Sequence, residues 1–166
     1  MIRGKIASFP FEIGGQKLQW SNTRRLAVRR RTVVRNFELH SLRHSTQIEY
    51  LDAALILTTA SIVSGHAKGF VRLSFDIDGW ASDANGITVP GPNYKTNLVD
   101  GFPFGAIVGR VNAGAVFLLG ADFSRRELTP GRLYLAVNDN SHWQNNIGAF
   151  RVSLQATDAY DVGSAQ

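Results

Sequence analysis

From Gly69 onward, apolar and polar residues alternate along Phe70-Val71-Arg72-Leu73-Ser74-Phe75-Asp76-Ile77. A period of two puts every second side chain on one face, as in a strand that is buried on one side and wet on the other. More short runs rich in Val, Leu, Ile, Phe and Tyr follow: Phe104 to Val111, Ala115 to Gly120, Leu133 to Val137 and Ala149 to Leu154. Turn residues separate them, as at Thr129-Pro130-Gly131. Short strands at regular spacing with turn signals between them predict an all-β sandwich. Upstream, Ile2 to Ala7 and Asn36 to Leu42 also alternate. Glu49 to Leu57 reads as helix or strand. Ala and Leu favour helix, but Thr58 to Val63 is rich in strand formers, so the whole stretch is assigned to strand. Ala81 to Gly101 is a long loop rich in Gly, Pro, Asn and Asp, a length that usually carries function or lacks fixed structure.

Charge divides the chain. Residues 1–50 hold ten Lys or Arg against three Glu, a net of +7; residues 51–166 hold eight basic against ten acidic groups, a net of −2. The basic character therefore belongs to the N-terminal third, and it concentrates in Arg24, Arg25, Arg29, Arg30, Arg31 and Arg35. Clustered arginines attract phosphates without regard to sequence, so nucleic acid is one partner they fit. No aromatic residue interleaves with them to stack bases. Charges on an edge strand also deter edge-to-edge pairing, and they can grip a neighbouring subunit. Two units are expected: a basic extension or arm over 1–50 that adds strands, and a sandwich over 51–166.

At 44% apolar residues the chain can bury a normal core. It has no cysteine, which excludes disulfides and thiolate chemistry. No apolar run reaches the length of a membrane span, and no basic start followed by an apolar region marks a secretory signal. The expected location is the cytoplasm, or the exterior by a signal-independent route. Gly-x-Ser-x-Gly, His-Glu-x-x-His and phosphate-loop motifs are absent, so no catalytic residue is expected. His40 and His44 have a spacing that chelates zinc from a helix. Their surroundings read as strand, which makes them surface or hydrogen-bonded residues.

The chemistry concentrates in Asn138-Asp139-Asn140-Ser141-His142-Trp143-Gln144-Asn145-Asn146, which joins the last two strands. One carboxylate and five side-chain amides in nine residues offer the oxygen ligands a hard cation such as Ca²⁺ takes. Asn, Asp and Ser also dominate ordinary turns, because they bond their own backbone. Asp139 therefore reads either as an ion ligand or as a turn residue capping the strand. Asn145 and Asn146 read as ligands or as a turn into Gly148. Trp143 reads as a stacking surface for a sugar or as a half-buried anchor of the loop.

Residues 75–154 carry a resemblance. Asp78-Gly79-Trp80-Ala81-Ser82 opens the Gly/Pro loop, and Phe104-Gly105-Ala106-Ile107-Val108-Gly109-Arg110-Val111 follows it. Leu133-Tyr134-Leu135-Ala136-Val137-Asn138-Asp139 and Asn145-Asn146-Ile147-Gly148-Ala149-Phe150 then close the match. This order resembles the PA-IL-like family, the calcium-dependent galactose-binding bacterial lectins. The resemblance covers about half the chain and leaves residues 1–69 unmatched. It implies a galactose-binding-domain-like, jelly-roll-like antiparallel β-sandwich in which one Ca²⁺ bridges protein and sugar. It places metal ligands on Asp139, Asn145, Asn146, a backbone carbonyl near His142 or Trp143, and the carbonyl of Asp83. It implies sugar contacts by Asp139, Asn140, Trp143, Asn145, Asn93 and Tyr94. The chain departs from the family in two places. The span between Asp139 and Asn145 is one residue shorter, and Pro92-Asn93-Tyr94-Lys95 stands where the family's sugar-contacting His and Gln fall. Galactose itself is therefore not implied. The expected function is non-catalytic carbohydrate binding through Ca²⁺, in an oligomer or larger assembly. The alternative is a structural subunit that has lost the sugar site and holds an acidic partner, nucleic acid or a neighbouring copy through its arginines.

Overall fold

A computed structural model describes residues 31–74, 80–87, 99, 101–126, 129–140 and 142–163, together with the backbone of two short paired strands, β1 (Glu12–Ile13) and β2 (Gln16–Lys17). The remaining strands are β3 (Arg31–His40), β4 (Leu51–Leu57), β5 (Ile62–Arg72), β6 (Ala81–Ser82), β7 (Ile107–Val111), β8 (Phe117–Leu118), β9 (Asp122–Arg126), β10 (Gly131–Val137) and β11 (Ile147–Asp161). Every strand pairing is antiparallel. The chain is an all-β sandwich. Glu49 to Val63, ambiguous by pattern, is strand on both sides of a turn, as β4 and the start of β5.

One strand organises both layers. β11 lies between β3 and β5 over most of its length, in register from Ile147 opposite Arg72 to Thr157 opposite Ile62. On the far edge of β5, β9 pairs with the Ile62–His66 half and β6 with Val71–Arg72. The second layer runs β4–β10–β7–β8. β11 reaches it as well, since Tyr160 and Asp161 pair with Ile56 and Leu55 of β4. The change of layer follows a bulge at Asp158, whose φ is 48°. A left-handed conformation at a residue with a Cβ costs about 1 kcal/mol or more. Here it turns the Asp158 carbonyl onto the hydroxyls of Thr58 (3.1 Å) and Ser61 (2.9 Å), which both donate to it. β4 carries a matching irregularity at Ala54, φ 54°, whose N–H donates to the Asp52 carboxylate at 2.8 Å and whose carbonyl accepts Val162 N–H at 3.2 Å.

The alternation along β11 decides what is inside. Phe150, Val152, Leu154 and Ala156 are buried, while Arg151 and Gln155 face solvent. They join Leu39 of β3, Val71 of β5, Leu55 and Leu57 of β4, Ile107 of β7, and Leu133 and Leu135 of β10 in one core between the layers. Fully burying each large side chain of this kind contributes about 1.5–3 kcal/mol. Trp80 is half-buried against that core, edge-on to Phe104 with ring centroids 5.9 Å apart. Residues 31–50 are part of the same body, because β3 pairs with β11 at nine positions and Val33 and Leu39 are buried. Among the described residues no helix is long and apolar enough to cross a membrane.

Candidate functional site

β10 ends at Val137 and β11 begins at Ile147, so the oxygen-rich loop is strung between strands of different layers. Its first residue, Asn138, is fully buried. The side-chain oxygen of Asn138 accepts Val99 N–H (3.0 Å), and its amide donates to the carbonyls of Phe102 and Pro103 (3.2 Å each). One side chain thus pins the end of the long Gly/Pro loop to the end of β10.

The turn after β3 grips the loop from the other side. Val137 N–H donates to the His44 carbonyl (2.8 Å), and Thr46 N–H donates to the Val137 carbonyl (3.0 Å). Thr46 Oγ1 accepts Asp139 N–H, and the Thr46 hydroxyl and the Gln47 amide both donate to the Asp139 carbonyl, each at 3.1 Å. These contacts lock the backbone of Asp139 and turn its carboxylate inward.

The Asp139 carboxylate is 1% exposed. One oxygen accepts Asn140 N–H (2.7 Å) and the other accepts the Asn146 amide in a short contact. The same Asn146 amide donates to the Ser41 carbonyl at 3.1 Å. Burial pushes the Asp139 carboxyl above the usual carboxylate range; the Asn146 amide, the Asn140 N–H and nearby His142 pull the other way without cancelling it. No Lys or Arg among the described residues pairs with Asp139. Asn146 is 4% exposed, and its Oδ1 is buried with no hydrogen-bond partner among the described residues. A buried carboxylate with no Lys or Arg beside it among the described residues, next to an orphaned amide oxygen, is a donor set that fits a hard cation, since each lacks what the cation supplies.

The other expected ligands are less uniformly placed. Trp143–Asn145 forms one 3-10 turn in which Asn145 N–H donates to the His142 carbonyl and Asn146 N–H to the Trp143 carbonyl, both at 3.1 Å. Asn145 and Trp143 are half-buried, and His142 is exposed. Asn140 closes a side-chain turn, its oxygen accepting His142 N–H at 2.8 Å. The carbonyl of Asp83 is already engaged by the Ser82 hydroxyl (2.8 Å) and Gly86 N–H (3.1 Å), and its exposed carboxylate accepts Asn85 N–H (2.8 Å). Its turn does share a neighbour with the Asp139 loop. Ala84 and Ile87 bond Ile107 and Phe104, while Asn138 bonds Gly105 and Ala106. Asn93 and Tyr94 lie outside the described residues. No group of three or more His, Asp or Glu side chains gathers among the described residues, so a cation would depend on amides and carbonyls. His44 Nδ1 accepts His40 N–H at 3.1 Å, a hydrogen-bonded role rather than a shared metal site.

Of the six expected partner-binding arginines, Arg24, Arg25, Arg29 and Arg30 lie outside the described residues. Arg31 and Arg35, on β3, both close on Asp161 at the end of β11; the Arg31 contact is 2.6 Å. The Gly163 N–H first, and then Arg35 and Arg31, hold the Asp161 carboxyl below the usual carboxylate range.

Sequence reasoning missed Ser41, Thr46, Gln47 and Asn138. Asn138 sat in the polar nonapeptide but drew no role there. The other three lie about 100 residues away in a stretch where no motif stands out, and only the pairing of β3 with β11 brings them to the loop.

The chain shares its fold with a lectin domain. The N-terminal domain of EclA, described as a PllA-like lectin, superposes with a TM-score of 0.54 over 73% of this chain and 94% of that one, at 15% sequence identity. No family model matches the sequence, and no curated protein matches it. At that identity the likeness establishes the architecture, and a lectin-type all-β fold is the part of the sequence resemblance it supports.

Proposed function

We propose that the protein is a non-catalytic, lectin-like carbohydrate-binding module with a Ca²⁺ site at the Asp139 loop. The observation that carries this reading is the pair formed by the buried Asp139 carboxylate, which no Lys or Arg among the described residues pairs with, and the Oδ1 of Asn146, which has no hydrogen-bond partner among them. The shared fold with a domain described as a lectin adds to it. Asp139 and Asn146 would hold the ion, joined by Asn145 and a carbonyl of the 142–143 turn. Asp83 would join only by giving up one of the two donors on its carbonyl. When bound, the ion supplies direct coordination of two vicinal sugar hydroxyls. Trp143, half-buried at the rim, offers an apolar surface to the sugar ring.

Calorimetry with Ca²⁺, followed by a panel of neutral monosaccharides, tests the reading. Ca²⁺ at about 100 times its dissociation constant should raise stability by about 2.7 kcal/mol. Asp139→Asn should abolish that gain. Titrations with Ca²⁺ and with sugar that both give no heat would remove the proposal.

A further inference from the structure

The outer face of the β3–β11–β5 layer looks away from the core. Registry places Lys68, Phe70 and Arg72 of β5 on that face, directly opposite Arg151, Ala149 and Ile147 of β11. Phe70 is 65% exposed and Ile147 56%. Two large apolar side chains standing in water at diagonal positions of neighbouring strands are a feature that monomer stability does not account for. The groove they line has a volume of about 560 Å³, within the range of small-ligand sites.

Charge narrows the occupant. Lys68, Arg72 and Arg151 line the same groove, and among the described residues no acidic side chain does. Among the described residues Lys68 and Arg72 make no ion pair. Arg151 has one loose partner, Glu38 of β3, at 3.7 Å, and Glu38 is shared with His40 at 3.4 Å. Three cations around an exposed aromatic ring match a ligand that carries both anionic groups and an apolar ring face.

We infer that this face is a binding site for an acidic oligosaccharide bearing uronate carboxylates. Phe70 stacks on the apolar face of one sugar ring, and Arg72, Arg151 and Lys68 take the carboxylates. Arginine suits this role because its planar fork meets a carboxylate with two parallel hydrogen bonds. The side chain of Phe70 already projects, so little ordering is needed on binding. One ring and one isoleucine match the size of a sugar, whereas a bilayer rewards a broader apolar surface. Gly69 and Gly148 flank the groove with φ of 111° and 98°, and a Cβ on either would strike the neighbouring strand's backbone at 2.8 and 2.7 Å, so these two glycines serve the sheet and not the ligand.

The site is independent of the proposed ion, and the test separates them. The full chain is titrated with a galacturonate hexamer in EDTA, beside maltohexaose as the uncharged control and vesicles containing phosphatidylserine. Uronate should bind in EDTA, maltohexaose should bind at least tenfold more weakly, and the affinity should fall steeply with salt. Phe70→Ser, and separately Arg72→Gln with Arg151→Gln, should each weaken uronate binding at least tenfold while leaving the Ca²⁺ titration unchanged. All three side chains are on the surface, so these variants should fold. Equal binding of the neutral hexamer, uronate binding indifferent to these substitutions, or binding to the vesicles without binding to the hexamer would overturn the inference.

Discussion

At Asp139 two forces act in opposite directions. Removal from water favours the neutral acid, while the Asn146 amide and the Asn140 N–H favour the carboxylate. Desolvation prevails, so the folded protein holds the Asp139 proton more tightly than the unfolded chain does. The sign of the pH dependence follows: this group's contribution to stability is complete below the ordinary carboxylate pKa, and it is lost as pH rises through the raised folded value. In EDTA, wild-type stability relative to Asp139→Asn should therefore be greatest at acid pH and shrink as pH rises toward neutral. Urea midpoints between about pH 3.5 and 8 check this. A difference that stays flat, or that grows with pH, would contradict the buried-acid reading. The same titration bears on the ion, because a cation needs the carboxylate. Ca²⁺ affinity should accordingly weaken as pH falls through the same raised value.

Among the elements, β11 bears the most, because it belongs to both layers and bends between them at Asp158. Asn is among the residues that tolerate a left-handed conformation, whereas a β-branched residue there is strained. Asp158→Val should cost about 1–2 kcal/mol in chemical denaturation, and Asp158→Asn should stay within about 0.5 kcal/mol of wild type. An inert valine would show that the bulge relaxes easily. Beyond the bend, Arg31 and Arg35 of β3 hold Asp161 at the far end of the same strand. Asp161 has a lowered pKa in the fold, so its contribution is present above the ordinary carboxylate pKa and disappears as pH falls through the folded value. Asp161→Asn should cost up to about 1 kcal/mol at pH 7, the scale of exposed ion pairs, and nothing at pH 2. Thermal melts at both values decide it, and a loss that persists in acid would point to packing in place of charge.

At the scale of the whole molecule, β3 belongs to the same layer as β11 and β5. β3 covers one edge of β11 and brings Leu39 into the core, while the 41–47 turn cages Asp139. A chain beginning at Leu51 should lose cooperative unfolding, as read by near-ultraviolet circular dichroism during a urea titration. A sharp transition retained in that fragment would show that β3 is dispensable. Much of the sandwich was legible beforehand because period-two alternation is local: Phe150, Val152 and Leu154 announce a strand with one dry face, and they are buried as that pattern requires. The two-layer role of β11 was not legible, since a left-handed aspartate leaves no mark in the pattern. The loop's chemistry was legible in kind, and Asp139 facing Asn146 keeps its oxygen-rich character. Its surroundings were not legible, because Ser41, Thr46 and Gln47 are ordinary polar residues whose partners lie about 100 positions away. The arginine run read as a partner-binding patch or as the charges of an edge strand; that Arg31 and Arg35 on β3 pair with Asp161 left no mark in the sequence. Sequence alone determined that the chain is built of short strands, which face of β11 is dry and where oxygen donors are dense, because those follow from side-chain periodicity and composition. Tertiary structure alone decided that the Asp139 carboxylate is buried with no Lys or Arg beside it among the described residues, that one Asn146 oxygen has no partner among them, and that a basic aromatic face remains open to water. Burial and pairing between distant residues depend on register and layer crossing, and neither is written in any local stretch of the chain.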